Sequence, residues 1–308
     1  MSILYIIIGA VLVLWGADRL TDGATALAAR MHIPQIVIGL TVVAMGTSMP
    51  EFFVSLMSAI KGTSDLAVGN IIGSNIFNTM AIVGITALVA PMTISRSTVQ
   101  KDIPFAVVAS VLLLVMSFDT TLYRWEAAIL FLGFIIFMVY TVRIGMKNGD
   151  EKVIALPNMP VWKMIGLLVL GMGCLIVGSD LFVIGAKSIA KTLGVSDAVI
   201  GLTIVACGTS LPELATSIVA ARKGRSAIAI GNVIGSNVFN ILMIIGATGI
   251  VLPMNILGIT LVDYSVMMGS IVLLWLFSYT KLTVERWEGA VLTVGFFSYM
   301  AWLVINAA

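Results

Sequence analysis

The second half of this chain repeats the first at a constant offset of 162 residues (Thr47 to Thr209), and that register constrains the fold more than any other feature. Gly46 to Glu51 reads G-T-S-M-P-E, and Gly208 to Glu213 reads G-T-S-L-P-E. A second block, G-N-I-I-G-S-N-I-F-N from Gly69 to Asn78, returns as G-N-V-I-G-S-N-V-F-N from Gly231 to Asn240. Between Val37 and Asn78, 26 of 42 positions are identical to their partners, so one unit has been duplicated. Gly16, Asp18, Pro91 and the run Arg124-Trp125-Glu126 recur in the same register as Gly178, Asp180, Pro253 and Arg286-Trp287-Glu288.

What that unit is follows from its apolarity. The 308 residues are 60% hydrophobic and 10% charged, where a soluble domain carries about 25% charge. Long apolar runs separated by short polar breaks predict an all-α integral membrane protein rather than a β-barrel, whose strands would alternate in polarity. At about 20 residues per crossing, the runs predict ten transmembrane helices, over residues 3–28, 35–60, 66–90, 103–119 and 125–146, then 162–189, 197–221, 227–252, 263–279 and 286–306. Five spans per copy is an odd number, so the second copy enters the membrane from the opposite side. The expected architecture is two five-helix inverted-topology repeats, residues 1–146 and 162–308, joined by a polar linker over 147–161. Such repeats belong to transporters more than to receptors or enzymes.

Basic residues orient the chain. Thirteen of the 17 Lys and Arg fall on the side of the linker, including Arg222, Lys223 and Arg225, which predicts a cytoplasmic linker and both termini outside a cell membrane. No basic patch or RNA-binding signature suggests nucleic acid. Cys174 and Cys207 lie in apolar runs without metal-ligand spacing and read as buried packing residues; the single histidine, His32, sits in a polar break. Trp125 and Trp287 begin their helices and read as interfacial anchors. The first 17 residues lack a basic start and a cleavage site and read as a retained span.

The repeated blocks carry the chemistry. A glutamate near mid-membrane costs several kcal/mol or about that to hold charged, so Glu51 and Glu213 should face a polar cavity or a partner; the bland alternative is a protonated hydrogen-bond donor between helices. Pro50 and Pro212 offer no N–H to the carbonyls of Gly46 and Gly208, which predicts a break in each helix and oxygens freed for ligation. Thr47 and Ser48, with Thr209 and Ser210, lie four and three residues before the glutamates and share their helical face. Asn70, Ser74 and Asn78 recur every four residues, as do Asn232, Ser236 and Asn240, and they suit either ligation or interhelical hydrogen bonding. Gly73 and Gly235 should admit a neighbouring helix. Carboxylate, hydroxyl, amide and carbonyl oxygens form a hard-cation set for Ca²⁺ or Na⁺, with no histidine or thiolate for zinc or copper. Two negative charges match one Ca²⁺ or two Na⁺, and an empty pair is expensive to occlude, which favours obligate exchange. Proton-coupled exchange through the same glutamates and a channel remain open, whereas the absence of a nucleophile–base pairing argues against an enzyme. Asp18 and Asp180 fit a salt bridge or helix contact better than ligation.

At these residues the chain resembles the calcium/cation antiporter superfamily, specifically its sodium/calcium exchanger branch, whose two repeats carry G-T-S-x-P-E and G-S-N-x-x-N/D motifs on the second, third, seventh and eighth of ten helices. The resemblance implies a Na⁺/Ca²⁺ antiporter working by alternating access, with Ca²⁺, Na⁺ and the lipid bilayer as its partners, no cofactor, and a monomer sufficient for transport. It implies that Glu51 and Glu213 are central Ca²⁺ ligands shared with Na⁺, that Thr47, Ser48, Ser74, Thr209, Ser210 and Ser236 help form flanking Na⁺ sites, and that Asn78 and Asn240 border the central site. The proton-coupled branch usually has G-N-x-x-E instead. Many relatives have Asp at one of the positions occupied here by Asn78 and Asn240, so this chain keeps only two carboxylates. A linker of about 15 residues leaves no room for the regulatory domain of animal exchangers, and no calcium sensing of that kind is expected.

Overall fold

A computed structural model describes residues 1–147, 159–194, 204 and 206–307. Most of the predicted linker, residues 148–158, and the start of the span predicted over 197–221 lie outside the described residues. Apolar backbone in a bilayer must satisfy every N–H and C=O internally, and the long runs do so as helices. They are α1 (Ser2–Met31), α2 (Gln35–Thr47), α3 (Met49–Ile60), α4 (Ser64–Val89), α5 (Thr98–Met116), α6 (Arg124–Lys147), α7 (Val161–Thr192), α8 (Ala206–Thr209), α9 (Leu211–Arg222), α10 (Ser226–Val251), α11 (Leu261–Tyr279) and α12 (Arg286–Ala307). Eight of these are each long and apolar enough to cross a membrane, and α2 with α3 forms a ninth span bent by 48°. Helices α8 and α9 hold the residues that repeat those of α2 and α3, and this segment is described from residue 206, apart from residue 204.

The protein is an all-helical membrane protein of two inverted five-helix repeats. The inversion is visible where α1 meets α7. Gly9 faces Gly178 and Gly16 faces Gly171, so the two helices run antiparallel; a methyl group on Gly9 would approach the carbonyl oxygen of Gly178 to 2.6 Å. Glycines seven residues apart on both helices permit this contact, in which backbone packs on backbone. Helices α4 and α10 are buried on nearly all sides and form the centre. Each contains a π-helical stretch, Phe77–Ile82 and Phe239–Ile245.

Four two-residue strands supplement the helices: β1 (Met92–Thr93), β2 (Thr121–Leu122), β3 (Met254–Asn255) and β4 (Thr283–Val284). β1 pairs with β4 and β2 with β3, both antiparallel, in matching registers Met92 to Val284 and Leu122 to Met254. Each ladder therefore ties one repeat to the other. The recurring Arg-Trp-Glu run is explained here as well. Glu126 and Glu288 are buried and accept from the N–H groups of Tyr123 and Glu285, at 2.9 and 2.7 Å, capping the starts of α6 and α12. Trp125 and Trp287 remain exposed, as anchors require.

Several expectations change. Cys174 and Cys207 are free thiols, half-buried rather than buried; Cys174 lies at the glycine crossing near Gly16. His32 adopts a left-handed conformation with φ 55° and terminates α1, its N–H directed to the last carbonyls. A methyl group on Gly235 would meet the Leu40 carbonyl oxygen at 2.6 Å, so α2 does approach there; among the described residues nothing comes comparably near Gly73.

Candidate functional site

The proline in each G-T-S-x-P-E block sets the local geometry. Without an N–H at residue 50 or 212 the helix cannot continue its ladder, and the chain bends at Ser48 (φ −84°, ψ 8°) and Ser210 (φ −92°, ψ 10°). Each proline then occupies the first turn of a new helix, α3 or α9, where a missing N–H costs nothing. Glu51 and Glu213 lie in those same first turns, beside the positive end of a helix dipole. The freed carbonyls behave differently from expectation in one repeat. Gly208 accepts a hydrogen bond from Ser179 of α7 at 2.6 Å, a contact the first repeat lacks because Ala17 occupies the equivalent position.

The two blocks complete each other across the repeats. Ser48 donates to Oε1 of Glu213 at 2.8 Å, and Ser210 donates to Oε1 of Glu51 at 2.7 Å. Ser48 also reaches Ser236 at 2.9 Å, and Ser210 reaches Ser74 at 3.3 Å. Thr47 donates to Oδ1 of Asn232 across the repeats at 3.1 Å. Glu51 is 1% exposed and Glu213 0%, so both carboxylates are closed off from solvent. Asn70 and Asn232 do different work from the other polar residues on their helices. Their amide nitrogens donate to the main-chain carbonyls of Glu51 and Glu213, at 3.4 and 3.2 Å, and to Ser55 and Ser217.

After this network is drawn, Glu51 Oε2, Glu213 Oε2, Asn78 Oδ1 and Asn240 Oδ1 are buried and accept no hydrogen bond among the described residues. They form two symmetry-matched pairs of orphaned oxygens, the arrangement expected of groups held for a cation. Among the described residues no three His, Cys, Asp or Glu side chains gather into a cluster, so a transition-metal ligand set is not formed. All twelve predicted site residues, Gly46, Thr47, Ser48, Glu51, Ser74, Asn78, Gly208, Thr209, Ser210, Glu213, Ser236 and Asn240, belong to the four central helical breaks and blocks, and all but the half-buried Thr209 are buried.

Sequence reasoning missed Asn75, Asn237, Ser55 and Ser217. Asn75 and Asn237 stand inside the quoted repeat, yet they are offset by one residue from the four-residue spacing. Their contacts run between α4 and α10, which no helical periodicity reports. Asp18, in contrast, falls where a salt bridge was expected: it pairs with Lys223 at 2.6 Å and with Arg19 at 3.2 Å. Asp180 is exposed.

Known proteins are similar to this chain. A family profile described as "Sodium/calcium exchanger protein" matches residues 1–143 and 163–305. A candidate antiporter, CaxA of Alkalimonas amylolytica, is 39% identical, with 96% of each chain covered. The sodium/calcium exchanger MaX1 of Methanosarcina acetivorans is 32% identical over 99% of this chain and 98% of its own. The sodium-calcium exchanger NCX_Mj, in a structure soaked with Na⁺ and Ca²⁺, superimposes with a TM-score of 0.86 at 31% identity, covering 97% of both chains. With its inverted repeats, its crossed serine–glutamate pairs and this family profile over both halves, the chain belongs to the sodium/calcium exchanger protein family.

Proposed function

We propose that this protein is a secondary antiporter exchanging Na⁺ for Ca²⁺ across a cell membrane, by alternating access around the paired blocks. The observation that carries this reading is the set of four orphaned oxygens, two carboxylate and two amide, ringed by serine and threonine hydroxyls. Oxygen donors alone suit a hard cation, and two carboxylates balance one Ca²⁺ or two Na⁺. Glu51 and Glu213 are the central ligands shared by both ions, with Asn78 and Asn240 at their border. Thr47, Ser48, Ser74, Thr209, Ser210 and Ser236, with the carbonyl of Gly46, serve flanking Na⁺ sites; the carbonyl of Gly208 joins them when Ser179 releases it.

Exchange follows from electrostatics. Carrying two uncompensated carboxylates through a closed state is costly, so the protein switches sides when loaded and not when empty. The basic residues support a cytoplasmic linker and external termini.

Purified protein in proteoliposomes tests this. Ca²⁺ uptake should require an outward Na⁺ gradient. Uptake indifferent to Na⁺ but driven by a pH gradient would replace the coupling ion with H⁺, the second reading left open by the family. Conduction without any counter-ion would make the protein a channel.

A further inference from the structure

An asparagine is an ambiguous neighbour for a cation, since one end of its amide is an oxygen ligand and the other an N–H donor that repels the ion. For Asn78 and Asn240 to serve, something must hold each amide the right way round. The structure contains such a device, built from the two asparagines that helical spacing passes over.

The orientation of Asn240 is fixed by a chain of hydrogen bonds that begins at the main chain. Asn75 Nδ2 donates to the backbone carbonyl of Asn237 at 3.3 Å. A carbonyl only accepts, so that end of Asn75 must be the nitrogen and its other end the oxygen. Asn75 Oδ1 in turn receives Asn240 Nδ2 at 3.0 Å. Asn240 therefore presents its nitrogen to Asn75 and its oxygen away from it, and that oxygen has no partner among the described residues.

Asn78 is held by the mirror contact but with a different anchor. Its Nδ2 donates to Asn237 Oδ1 at 3.2 Å, and Asn237 Nδ2 donates to the Thr79 hydroxyl at 2.8 Å. A hydroxyl can accept or donate, so this anchor selects the amide orientation less strictly than a carbonyl does. The second repeat has Ile241 where the first has Thr79, so the two halves of the clamp are unequal by sequence. Asn75 and Asn237 are themselves 2% and 4% exposed, so water does not compete for their amides.

Resting on the reading of this centre as a cation site, we propose that Asn75 and Asn237 are its positioning residues, each holding the other repeat's border asparagine with the amide oxygen turned to the ion. They touch no ion themselves. Their effect should disappear if the residue they orient no longer needs orienting. Aspartate is such a residue, because a carboxylate presents oxygen at both ends.

The experiment is a double-mutant cycle in proteoliposomes, with Asn75→Leu, Asn240→Asp and the combination, each measured for the Ca²⁺ KM and the maximal Na⁺-driven rate. Asn75→Leu should raise KM about tenfold and change the maximal rate by less than about threefold, since the amide of Asn240 is freed to turn its N–H inward. In the Asn240→Asp background the same substitution should change KM by less than about threefold. Thr79→Val, a gentler change in volume, should raise KM about threefold, and Asn78→Asp should abolish that effect. Ca²⁺-dependent thermal stabilisation of the same purified variants supplies a readout that does not require transport, and it should follow the KM pattern. Equal KM shifts in the Asn and Asp backgrounds would mean a packing role and overturn the proposal, as would an unchanged KM in both. A wild-type protein without Na⁺-driven Ca²⁺ uptake would defeat the functional reading instead, and the stabilisation cycle would still decide the clamp.

Discussion

Ser210 of the second repeat donates its hydroxyl to the Glu51 carboxylate of the first at 2.7 Å, and Ser48 returns the same contact to Glu213 at 2.8 Å. Neither block forms a finished site alone. Each glutamate takes a serine hydroxyl donor from the opposite repeat.

Glu51→Gln and Glu213→Gln should each reduce Na⁺-driven Ca²⁺ uptake by about 100-fold or more, because either change leaves one negative charge against a divalent ion. Isotope flux into proteoliposomes measures this. Full activity in Glu51→Gln beside its loss in Glu213→Gln would break the symmetric two-carboxylate account.

Ser48→Ala and Ser210→Ala should fold normally and weaken the site. Each removes a donor to a carboxylate, an interaction of about 1.5–3 kcal/mol, so apparent ion affinity should fall roughly tenfold. Titrating Na⁺ and Ca²⁺ against exchange rate tests it, and unchanged affinities in both variants would show that the crossed contacts do not matter to binding.

Gly208→Ala should damage transport more than Gly46→Ala. An added methyl group at 208 collides with Cγ2 of Val183, and one at 46 collides with the terminal methyl of Met172. Methionine has three rotatable bonds and swings aside, whereas valine is stiff at χ1. Val183→Ala should therefore rescue Gly208→Ala; thermal stability and flux read side by side would reveal a failure to do so.

An ion-pair cluster joins α1 to the end of α9 and the start of α10. Lys223 bridges Asp18 and Asp22 at 2.6 and 2.9 Å, and Arg225 meets Asp22 at 2.7 Å. At the inverted positions Ile184 stands for Asp22 and Thr63 for Arg225, so the two pairs made by Asp22 have no sequence counterpart in the other repeat. Arg225→Thr should shift the balance toward opening on the cluster's face, changing the ratio of apparent Na⁺ affinities on the two sides roughly twofold to fivefold, the range of partly exposed ion pairs. Flux assays with Na⁺ varied on one side at a time would register it. Arg225→Lys, which keeps a cation opposite Asp22, should leave the ratio near its original value.

Much of this was legible in the chain itself. The repeat and its apolar runs determined ten expected spans and an inverted pair of five, because an odd number of crossings leaves no other way to insert a duplicate. Proline at 50 and 212 fixed the breaks, since a missing N–H acts within one turn of helix. Glutamates stranded in hydrocarbon marked the site, since desolvating a charge is costly wherever the fold places it. What the tertiary structure alone decided lies between helices that are distant in sequence. It chose Ser48 for Glu213 rather than Glu51, set Ser179 on the Gly208 carbonyl, and turned Asn75 toward Asn240. It also spent the repeated Glu126 and Glu288 on capping helices and placed Asp18 beside Lys223. Periodicity reports which residues share a face; the donor that face will meet depends on how two inverted copies dock, and only packing specifies that.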